Sequence, residues 1–414
     1  MLSLVGAMLQ WEQLGQSLNH SWVLAVSAAF DDNGNALLAY GASDSATTAD
    51  TVTRFYIWSK LQGTWILNAT HTPQFGQPYE HFDLRAHLGN VYLGLVINPV
   101  DTPAAGLSSV LRSVGAGGGE DGFEGCYAFE ATAYDFEIDG AGNIFAIFTV
   151  NGNASLAVAT YNASGWSSYP ASDTWSPSVI VETPHGAVHD VVLVRGPAAC
   201  ACVYVAWASG VGSGADAAEV GIGASLLTGA TGRSWQNLGA PFAGVALAPR
   251  VAPAIAWGAD GNSGALCVAV HAEASGAVFV ACLVNRSAGW SPPFTMVGTG
   301  ADASSPPSIA LLSPTSGDGG LMRLVVSAMA AGAVGQDSAI LSATCALSLA
   351  GTLPSCSVPT TLAPVALPSG ITDVTMRGGN SGNNATSFSA ILVAATGPAD
   401  GQGDALVAFG LYDA

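Results

Sequence analysis

Residues 136–150 read FEIDGAGNIFAIFTV, two apolar runs separated by a turn that contains Gly142. The same arrangement surrounds six other glycines, and successive glycines of the set lie 53 to 65 residues apart: Gly34, Gly89, Gly196, Gly261, Gly319 and Gly379. Short apolar runs bounded by Asn, Asp and Gly are typical of β-strands joined in hairpins. The chain therefore consists of an internal repeat of short strands, with one such hairpin in each unit.

Each repeat accommodates four strands. The second strand is almost wholly small and apolar, as in ALLAYGA from Ala36 and ALCVAVHAE from Ala265, which is expected where neighbouring sheets bury both of its faces. The fourth run often opens with tryptophan, at Trp65, Trp166 and Trp235. Such a repeat predicts an all-β fold, a seven-bladed β-propeller of four-stranded antiparallel blades. Six or eight blades are the alternatives.

The two ends of the chain complement each other. The last repeat stops after its third strand, ALVAFGLYDA, and the missing fourth strand has a counterpart at the N-terminus. That counterpart, WEQLGQSL from Trp11, is similar to WQNLGAP from Trp235. We therefore expect a strand at about residues 8–18 to complete the last blade, about residues 364–414, and residues 1–414 to form a single propeller domain.

Composition and charge limit the partners. Half of the 414 residues are hydrophobic and 9% are charged, which favours a large core over disorder. Lysine occurs once, at Lys60, and ten basic residues face 29 carboxylates, for a net charge of −19. Nothing here can form a basic groove, so we expect no nucleic-acid partner. No apolar run has the length of a membrane-spanning helix, and no membrane span is predicted.

Two short motifs carry a resemblance to known proteins. The segment TGATGRSW, from Thr228 to Trp235, resembles the Asp-box turn of sialidases, with Ala230 at the position of the aspartate. The W-x-x-L-G pattern at Trp11 and Trp235 is similar to that of some propeller lectins. Each likeness covers a few residues per blade. Together they imply the β-propeller superfamily and no specific family within it.

Carboxylates recur on the first strands, six or seven residues before the turn glycine: Asp83, Asp135, Asp190 and Asp373. His81 and His189 lie beside two of them. Because first strands line the channel of a propeller, these side chains could point toward one axis. Such a ring could hold Ca²⁺, which takes six to eight oxygen ligands, or bind a polar ligand. Alternatively, each aspartate caps a strand end and ties its blade to the next.

The cysteines allow disulfides. Cys267 and Cys282 lie on adjacent predicted strands, as do Cys345 and Cys356, so either pair is a candidate for a cross-strand bridge. Burial of these residues as free thiols is the alternative. The total of seven cysteines is odd, which leaves at least one thiol free or paired between chains.

The chain contains six N-x-S/T sequons, at Asn19, Asn68, Asn153, Asn162, Asn285 and Asn384. Several fall in predicted loops, where N-linked glycans can be accepted. They predict a secreted protein, extracellular or at the cell surface.

No common catalytic motif is present: the sequence lacks G-x-S-x-G, a P-loop, H-E-x-x-H and C-x-x-C. We therefore predict a structural or adhesion glycoprotein without enzymatic activity, a subunit of a surface or matrix filament that contacts itself or other extracellular proteins. Two alternatives stay open. One is a lectin-like propeller that binds carbohydrate, and the other is a carbohydrate-active hydrolase or lyase that uses the channel carboxylates.

Overall fold

The all-β fold class predicted from the sequence is confirmed. The computed structural model describes residues 9–16, 18–20, 22–31, 35–43, 51–59, 62–71, 79–87, 90–97, 107–113, 126–128, 133–139, 142–150, 155–161, 178–182, 187–197, 202–210, 219–228, 232–260, 263–273, 275–284, 289–312, 321–330, 339–348, 355–356, 360–362, 371–378, 390–396 and 404–413. Within these ranges the regular elements are β-strands, and no α-helix occurs. Accordingly, they offer no helix with the length and hydropathy needed to cross a membrane.

The strands are numbered in chain order. Those of the N-terminal half are β1 (Leu9–Gln13), β2 (Leu18–His20), β3 (Trp22–Phe30), β4 (Ala36–Ser43), β5 (Thr51–Ser59), β6 (Thr64–His71), β7 (Tyr79–His87), β8 (Asn90–Ile97), β9 (Leu107–Ser113), β10 (Cys126–Ala128), β11 (Tyr134–Ile138), β12 (Ile144–Val150), β13 (Ser155–Tyr161), β14 (Ser178–Glu182) and β15 (Val188–Arg195). Those of the C-terminal half are β16 (Val203–Ser209), β17 (Glu219–Thr228), β18 (Gly232–Gly239), β19 (Ala254–Asp260), β20 (Ser263–His271), β21 (Val278–Val284), β22 (Phe294–Val297), β23 (Ser308–Leu312), β24 (Leu321–Met329), β25 (Ile340–Ser348), β26 (Ser355–Cys356), β27 (Thr360–Leu362), β28 (Ile371–Gly378), β29 (Ala390–Thr396) and β30 (Asp404–Asp413).

In the described part of the chain these strands form seven antiparallel sheets. Five of them are four-stranded and follow chain order: β3–β6, β7–β10, β11–β14, β15–β18 and β19–β22. In the sixth sheet β23–β26 are joined by β27, which also pairs with β25. The seventh has the order β28, β29, β30, β1, with β2 also paired to β30. Chain neighbours thus pair as successive hairpins, the connection that antiparallel strands allow.

The N-terminal strand lies in the same sheet as the C-terminal one. β1 pairs antiparallel with β30, so that Leu9 lies opposite Asp413 and Gln13 opposite Phe409. Beyond β1, the backbone N–H of Leu14 donates a 2.8 Å hydrogen bond to the carbonyl oxygen of Ala408. The Leu14 side chain is buried, with 2% of its surface exposed. The two ends of the chain are therefore joined by backbone pairing and by an apolar anchor.

The first strands of the sheets lie next to one another. Contacts join β3 to β7, β7 to β11, β11 to β15, β15 to β19, β19 to β23, β23 to β28 and β28 to β3. Each sheet therefore has a neighbouring sheet on either side. This explains why the second strands, such as β16 with every residue buried, are apolar on both faces.

The same pair of side chains holds two of the repeated hairpins. Asp31 accepts hydrogen bonds from the backbone N–H and the side-chain amide of Asn35, both at 2.7 Å. Asp139 and Asn143 repeat this pairing at 2.9 and 2.8 Å. In the second hairpin Gly142 has φ 84°, a left-handed conformation that favours glycine. These turns account for the Asp, Gly and Asn residues between the first and second strands.

Small residues allow neighbouring sheets to approach closely. A Cβ atom on Gly94 of β8 would lie 2.5 Å from ring carbons of Phe136 on β11. Phe136 is itself fully buried. On this ring lies the guanidinium group of Arg85, with its carbon 5.4 Å from the ring centre. The close packing of these two sheets thus positions a buried cation beside the next first strand.

We expect Leu14→Ala to lower the free energy of unfolding by about 2–5 kcal/mol, because it leaves a cavity where the N-terminal segment is anchored. Urea unfolding followed by tryptophan fluorescence would measure this loss. Glu12→Ala is the matched control on the same segment, since Glu12 is exposed and should change stability by less than about 0.5 kcal/mol. Equal effects of the two substitutions would show that Leu14 is not an anchor.

Candidate functional site

A buried cluster of charges joins two neighbouring first strands. Arg85 of β7 donates from Nε to Oε2 of Glu137 at 3.1 Å and from Nη2 to Oδ1 of Asp135 at 3.2 Å. Its Nη1 lies 2.6 Å from Oδ1 of Asp83 on its own strand. The Arg85 side chain is 6% exposed, and the three carboxylates are between 4% and 13% exposed. We call these four residues the Arg85 cluster.

The two-residue period of a β-strand brings the cluster together. Asp83 and Arg85 are two residues apart on β7, and Asp135 and Glu137 are two apart on β11, so each pair shares one face of its strand. Since β7 and β11 are in contact, the guanidinium of one strand reaches both carboxylates of the next. Arg is suited to this role because its planar group donates several hydrogen bonds at once.

The carboxylates of the cluster compensate the buried charge of Arg85. Burial lowers the pKa of Arg85, but the carboxylates of Asp83, Asp135 and Glu137 outweigh burial and hold this pKa above its ordinary value. Arg85 therefore stays charged at any pH at which the protein is folded. A buried charge of this kind is tolerated only when it is paired and hydrogen-bonded, as it is here.

Three of the predicted channel aspartates share one backbone contact. Oδ1 of Asp83, Asp135 and Asp190 accepts a hydrogen bond from the N–H of the following residue, at 3.0, 2.7 and 2.8 Å. Asp135 also accepts from the N–H of Leu193 on β15 at 2.6 Å, and Asp83 from the hydroxyl of Ser27 on β3 at 2.8 Å. Asp83 and Asp135 thus tie their sheets to neighbouring ones.

A second arginine adds contacts between the sheets at the hairpin end of the first strands. Arg195 of β15 donates from Nε to the carbonyl oxygen of Ile138 at 2.6 Å and from Nη2 to that of Ala86 at 3.3 Å. Its Nη1 lies 3.4 Å from Nδ1 of His87, and its Nε lies 4.0 Å from Oε1 of Glu137. Side chains from β7, β11 and β15 therefore meet in one network.

His189 and Asp190 lie at the opposite end of β15, away from its hairpin. The register of β15 with β16 shifts between Val188 and Asp190, which makes His189 the extra residue of a β-bulge. Both side chains are partly exposed. Bulges redirect side chains and are common beside active sites. The bulge thus carries an imidazole and a carboxylate on adjacent residues at the start of β15.

The surroundings of His189 favour its neutral imidazole. Burial lowers the pKa of His189 and the nearby Arg250 lowers it further, against a hydrogen bond to the backbone of Gly210. The Nε2 atom is buried and has no hydrogen-bond partner among the described residues. A neutral imidazole with an unpartnered nitrogen is able to accept or donate a proton.

Near the start of β15 lies a small cleft with a cavity volume of about 10 Å³, room for about one water molecule, lined among others by Ser209, Gly210, Glu219, Arg250 and His271. Its polar residues come from the loop ends of β16 and β17, the end of β20 and the segment before β19. Arg250 is exposed and has φ 61°, a conformation rare for residues other than glycine. His271 is only 2% exposed, and neither of its ring nitrogens has a hydrogen-bond partner within the described residues.

Two of the predicted ligand residues are only partly covered by the structure. His81 lies in β7 and Asp373 in β28, but their side chains are outside the described part. A ring of four aspartates therefore stays a prediction. Among the side chains that the structure describes, no group of three or more His, Cys, Asp and Glu residues could hold a metal ion. The prediction of calcium in the channel is untested.

In the described strands four cysteines form disulfides, and two of the six sequon asparagines lie in these strands. Cys267 of β20 is bonded to Cys282 of β21, and Cys345 of β25 to Cys356 of β26. Asn19 lies in β2 and Asn68 in β6, with side chains outside the described part. The other four sequon asparagines lie outside the described residues: Asn153, Asn162, Asn285 and Asn384.

Comparison with known proteins bears on the fold. No family model and no curated protein sequence matches the chain. Among solved structures, an α-L-arabinanase from Penicillium chrysogenum complexed with arabinobiose is 10% identical, with a TM-score of 0.45 over 96% of this chain and 99% of the other. An intramolecular trans-sialidase from Ruminococcus gnavus is 13% identical, with a TM-score of 0.44 over 95% of each chain. The leech intramolecular trans-sialidase is 10% identical, with a TM-score of 0.46 over 95% of this chain and 68% of the other.

These similar structures are β-propellers, and the resemblance to the β-propeller superfamily without a specific family is confirmed. The predicted function is wrong. We expected a structural or adhesion glycoprotein without enzymatic activity, whereas the similar structures are carbohydrate-active enzymes, an arabinanase and trans-sialidases. The prediction had relied on missing motifs, but propeller sites combine side chains from separate sheets and leave no local motif in the sequence.

Sequence reasoning also missed residues that the structure brings together. Glu137 had a signal, because Asp135 and Glu137 alternate with apolar residues and so share a strand face. His271 had a weaker one, as a lone histidine at the end of the apolar strand SGALCVAVH. No sequence pattern marked Arg250, because only the folded backbone shows its left-handed conformation.

We expect Arg85→Met to lower the free energy of unfolding by about 3–5 kcal/mol, because three buried carboxylates lose their shared cation. Arg85→Lys keeps the charge but not the planar set of donors, so its loss should be smaller. Urea unfolding at neutral pH would compare the two variants. Wild-type stability of Arg85→Met would contradict a structural role of the cluster.

The buried histidines predict a loss of stability in acid. Burial lowers the pKa of His271, although the Asp302 carboxylate opposes this, and His189 is shifted in the same direction. The unfolded chain therefore binds protons that the folded chain does not, so stability should fall as the pH drops below about 6.5. Thermal unfolding midpoints between about pH 5 and 8 would show this decline, with His271→Leu making it shallower. An equally steep decline in the variant would exclude His271 as a source.

Proposed function

We propose that this chain is a carbohydrate-active enzyme, a hydrolase or lyase of glycosidic bonds, built on a seven-bladed propeller that its N-terminal strand closes. The blade count is supported by the seven sheets of the described residues and by the contacts that join each first strand to the next, including β28 to β3. Closure is supported by the pairing of β1 with β30. In such a ring the first strands line the central channel.

The observation that carries the proposal is the bulge at the start of β15. It presents the neutral imidazole of His189 and the carboxylate of Asp190 from adjacent positions, both partly exposed. The carboxylates of the Arg85 cluster are less accessible to a substrate. Asp135 and Glu137 are buried against Arg85, and Asp83 binds the same guanidinium, so these three are committed to holding the sheets.

The two side chains have complementary chemical roles. His189 can take a proton, either from water that attacks the anomeric carbon or from a carbon next to a carboxyl group of the sugar. The first route is hydrolysis, in which the bond from the anomeric carbon to oxygen breaks, water oxygen bonds to that carbon, and the departing oxygen takes a proton from solvent. In this route Asp190 can stabilise the positive charge that develops on the sugar ring. The second is elimination, in which His189 takes the proton, the C–O bond on the adjacent carbon breaks, a carbon–carbon double bond forms, and the departing oxygen takes a proton from solvent.

We further propose that the protein is secreted and carries N-linked glycans. The disulfides Cys267–Cys282 and Cys345–Cys356 support this location, because such bonds persist in oxidising compartments. The sequons supply acceptor sites for glycans in the same compartment.

We expect Asp190→Asn to reduce turnover by at least about a hundredfold while leaving the fold intact, because the amide keeps the size but loses the charge. Activity would be screened on a panel of polysaccharides, with reducing ends measured for hydrolysis and unsaturated products for elimination. Glu12→Gln is the matched control, since it removes one exposed carboxylate from β1, far from β15 along the chain.

A wild-type protein that binds glycans without turning over any of them would contradict the enzymatic proposal and leave a lectin. Turnover that Asp190→Asn does not change would contradict the assignment of the site to β15.

A further inference from the structure

We infer that the cleft beside His189 binds the carboxylate of an acidic sugar, so that the glycan acted on contains uronic acid units. This inference rests on the proposed function and names the substrate class of the same site. The binding residues would be Arg250 and His271, with Glu219 completing the polar lining.

Arg250 supplies the charge. Its side chain is exposed on the wall of the cleft and makes no hydrogen bond or ion pair within the described part of the chain. The planar guanidinium matches the two oxygens of a carboxylate. Its backbone has φ 61°, and such conformations cost about 1–3 kcal/mol and cluster at functional sites. An unpaired arginine held in this way is suited to an anionic ligand.

His271 is a second, independent indication that the cleft binds a ligand. It lines the same cleft, is 2% exposed, and has two ring nitrogens without a hydrogen-bond partner among the described residues. Buried polar atoms are almost always hydrogen-bonded. The backbone of Gly276 lies near one ring nitrogen and raises the pKa of His271, so the other nitrogen requires a partner that a ligand or a bound water would supply. A neutral imidazole has one donor and one acceptor, and a sugar hydroxyl can pair with either.

The cleft borders the end of β15 that carries the proposed catalytic pair. Ser209 of the cleft wall is paired with Val188, the residue before His189, and the N–H of Gly210 donates a hydrogen bond to the carbonyl oxygen of Ala187 at 3.3 Å. Arg250 of the same cleft lowers the pKa of His189. A sugar whose carboxylate pairs with Arg250 would therefore present its ring to His189 and Asp190. In a uronic acid the carbon that bears the carboxyl group carries the proton that elimination removes, so this placement suits His189 as the base.

Two carboxylates face the same region. Glu219 lines the cleft, and Asp302 lies near His271. Asp302 already accepts hydrogen bonds from Ser304. The Glu219 carboxylate on the cleft wall would select for sugar hydroxyls and would repel a ligand with several negative charges at one point. The protein as a whole carries a charge of −19, so recognition of an anion depends on the local charge of Arg250. These features favour a single carboxylate surrounded by hydroxyls.

The test is calorimetric titration of the full chain with tetrasaccharides of uronic acids and with the carboxyl-reduced forms of the same tetrasaccharides. The two ligands differ only in their carboxylates. We expect the acidic form to bind at least about tenfold more tightly than the reduced form, and Arg250→Gln to abolish this preference. His271→Gln should weaken the binding of both tetrasaccharides. Arg323→Gln on β24 is the matched control, since it removes the same charge from another sheet.

Equal affinity for the two forms, no binding of either, or unchanged affinity in Arg250→Gln would overturn the inference. Thermal unfolding of each variant would show that it is folded, and Arg250→Gln should be, because its side chain makes no described contact of its own. The outcomes also separate the two proposals. Cleavage of neutral glycans without uronate binding would contradict this inference alone, whereas uronate binding without cleavage would contradict the proposed function and support the cleft.

Discussion

The rest of the structure depends on the pairing of Arg85 with carboxylates from two strands. One guanidinium joins Asp83 on its own strand to Asp135 and Glu137 on the next, in an environment from which water is excluded. Asp135 then continues the connection through the N–H of Leu193. Consecutive first strands are therefore held at a fixed height relative to one another, which apolar packing of small side chains does not by itself ensure.

This arrangement also decides where chemistry is possible. The carboxylates of the Arg85 cluster are largely buried and engaged in ion pairs and hydrogen bonds within the structure. Candidate reactive groups are left on β15, where the bulge exposes His189 and Asp190, and in the cleft lined by Arg250 and His271. Structural and candidate functional groups thus lie on different first strands, with β7 and β11 joined by ion pairs and β15 carrying the partly exposed His189 and Asp190.

Much of the fold could be predicted from the sequence, because it follows from local rules. Turn residues such as Gly142 and Asn143 fix the hairpins, and continuous apolar runs mark strands buried on both faces. The site could not be predicted in the same way. The sequence predicted a metal ion or ligand among aspartates, which stays untested, and it did not predict the ion pairs of Arg85 with Asp83 and Asp135. Contacts between sheets, about fifty residues apart in the chain, depend on register and bulges that no local pattern reports.

The most direct measurement is a double-mutant cycle between Arg85 and Glu137, using Arg85→Met, Glu137→Gln and the double variant in urea unfolding. If the buried ion pair holds the first strands together, the two losses of stability will be strongly non-additive. We predict a coupling free energy within the range of about 0.5–3 kcal/mol, near its upper end. Additivity within about 0.5 kcal/mol would contradict the account, because it would mean that the two side chains do not stabilise the structure through each other.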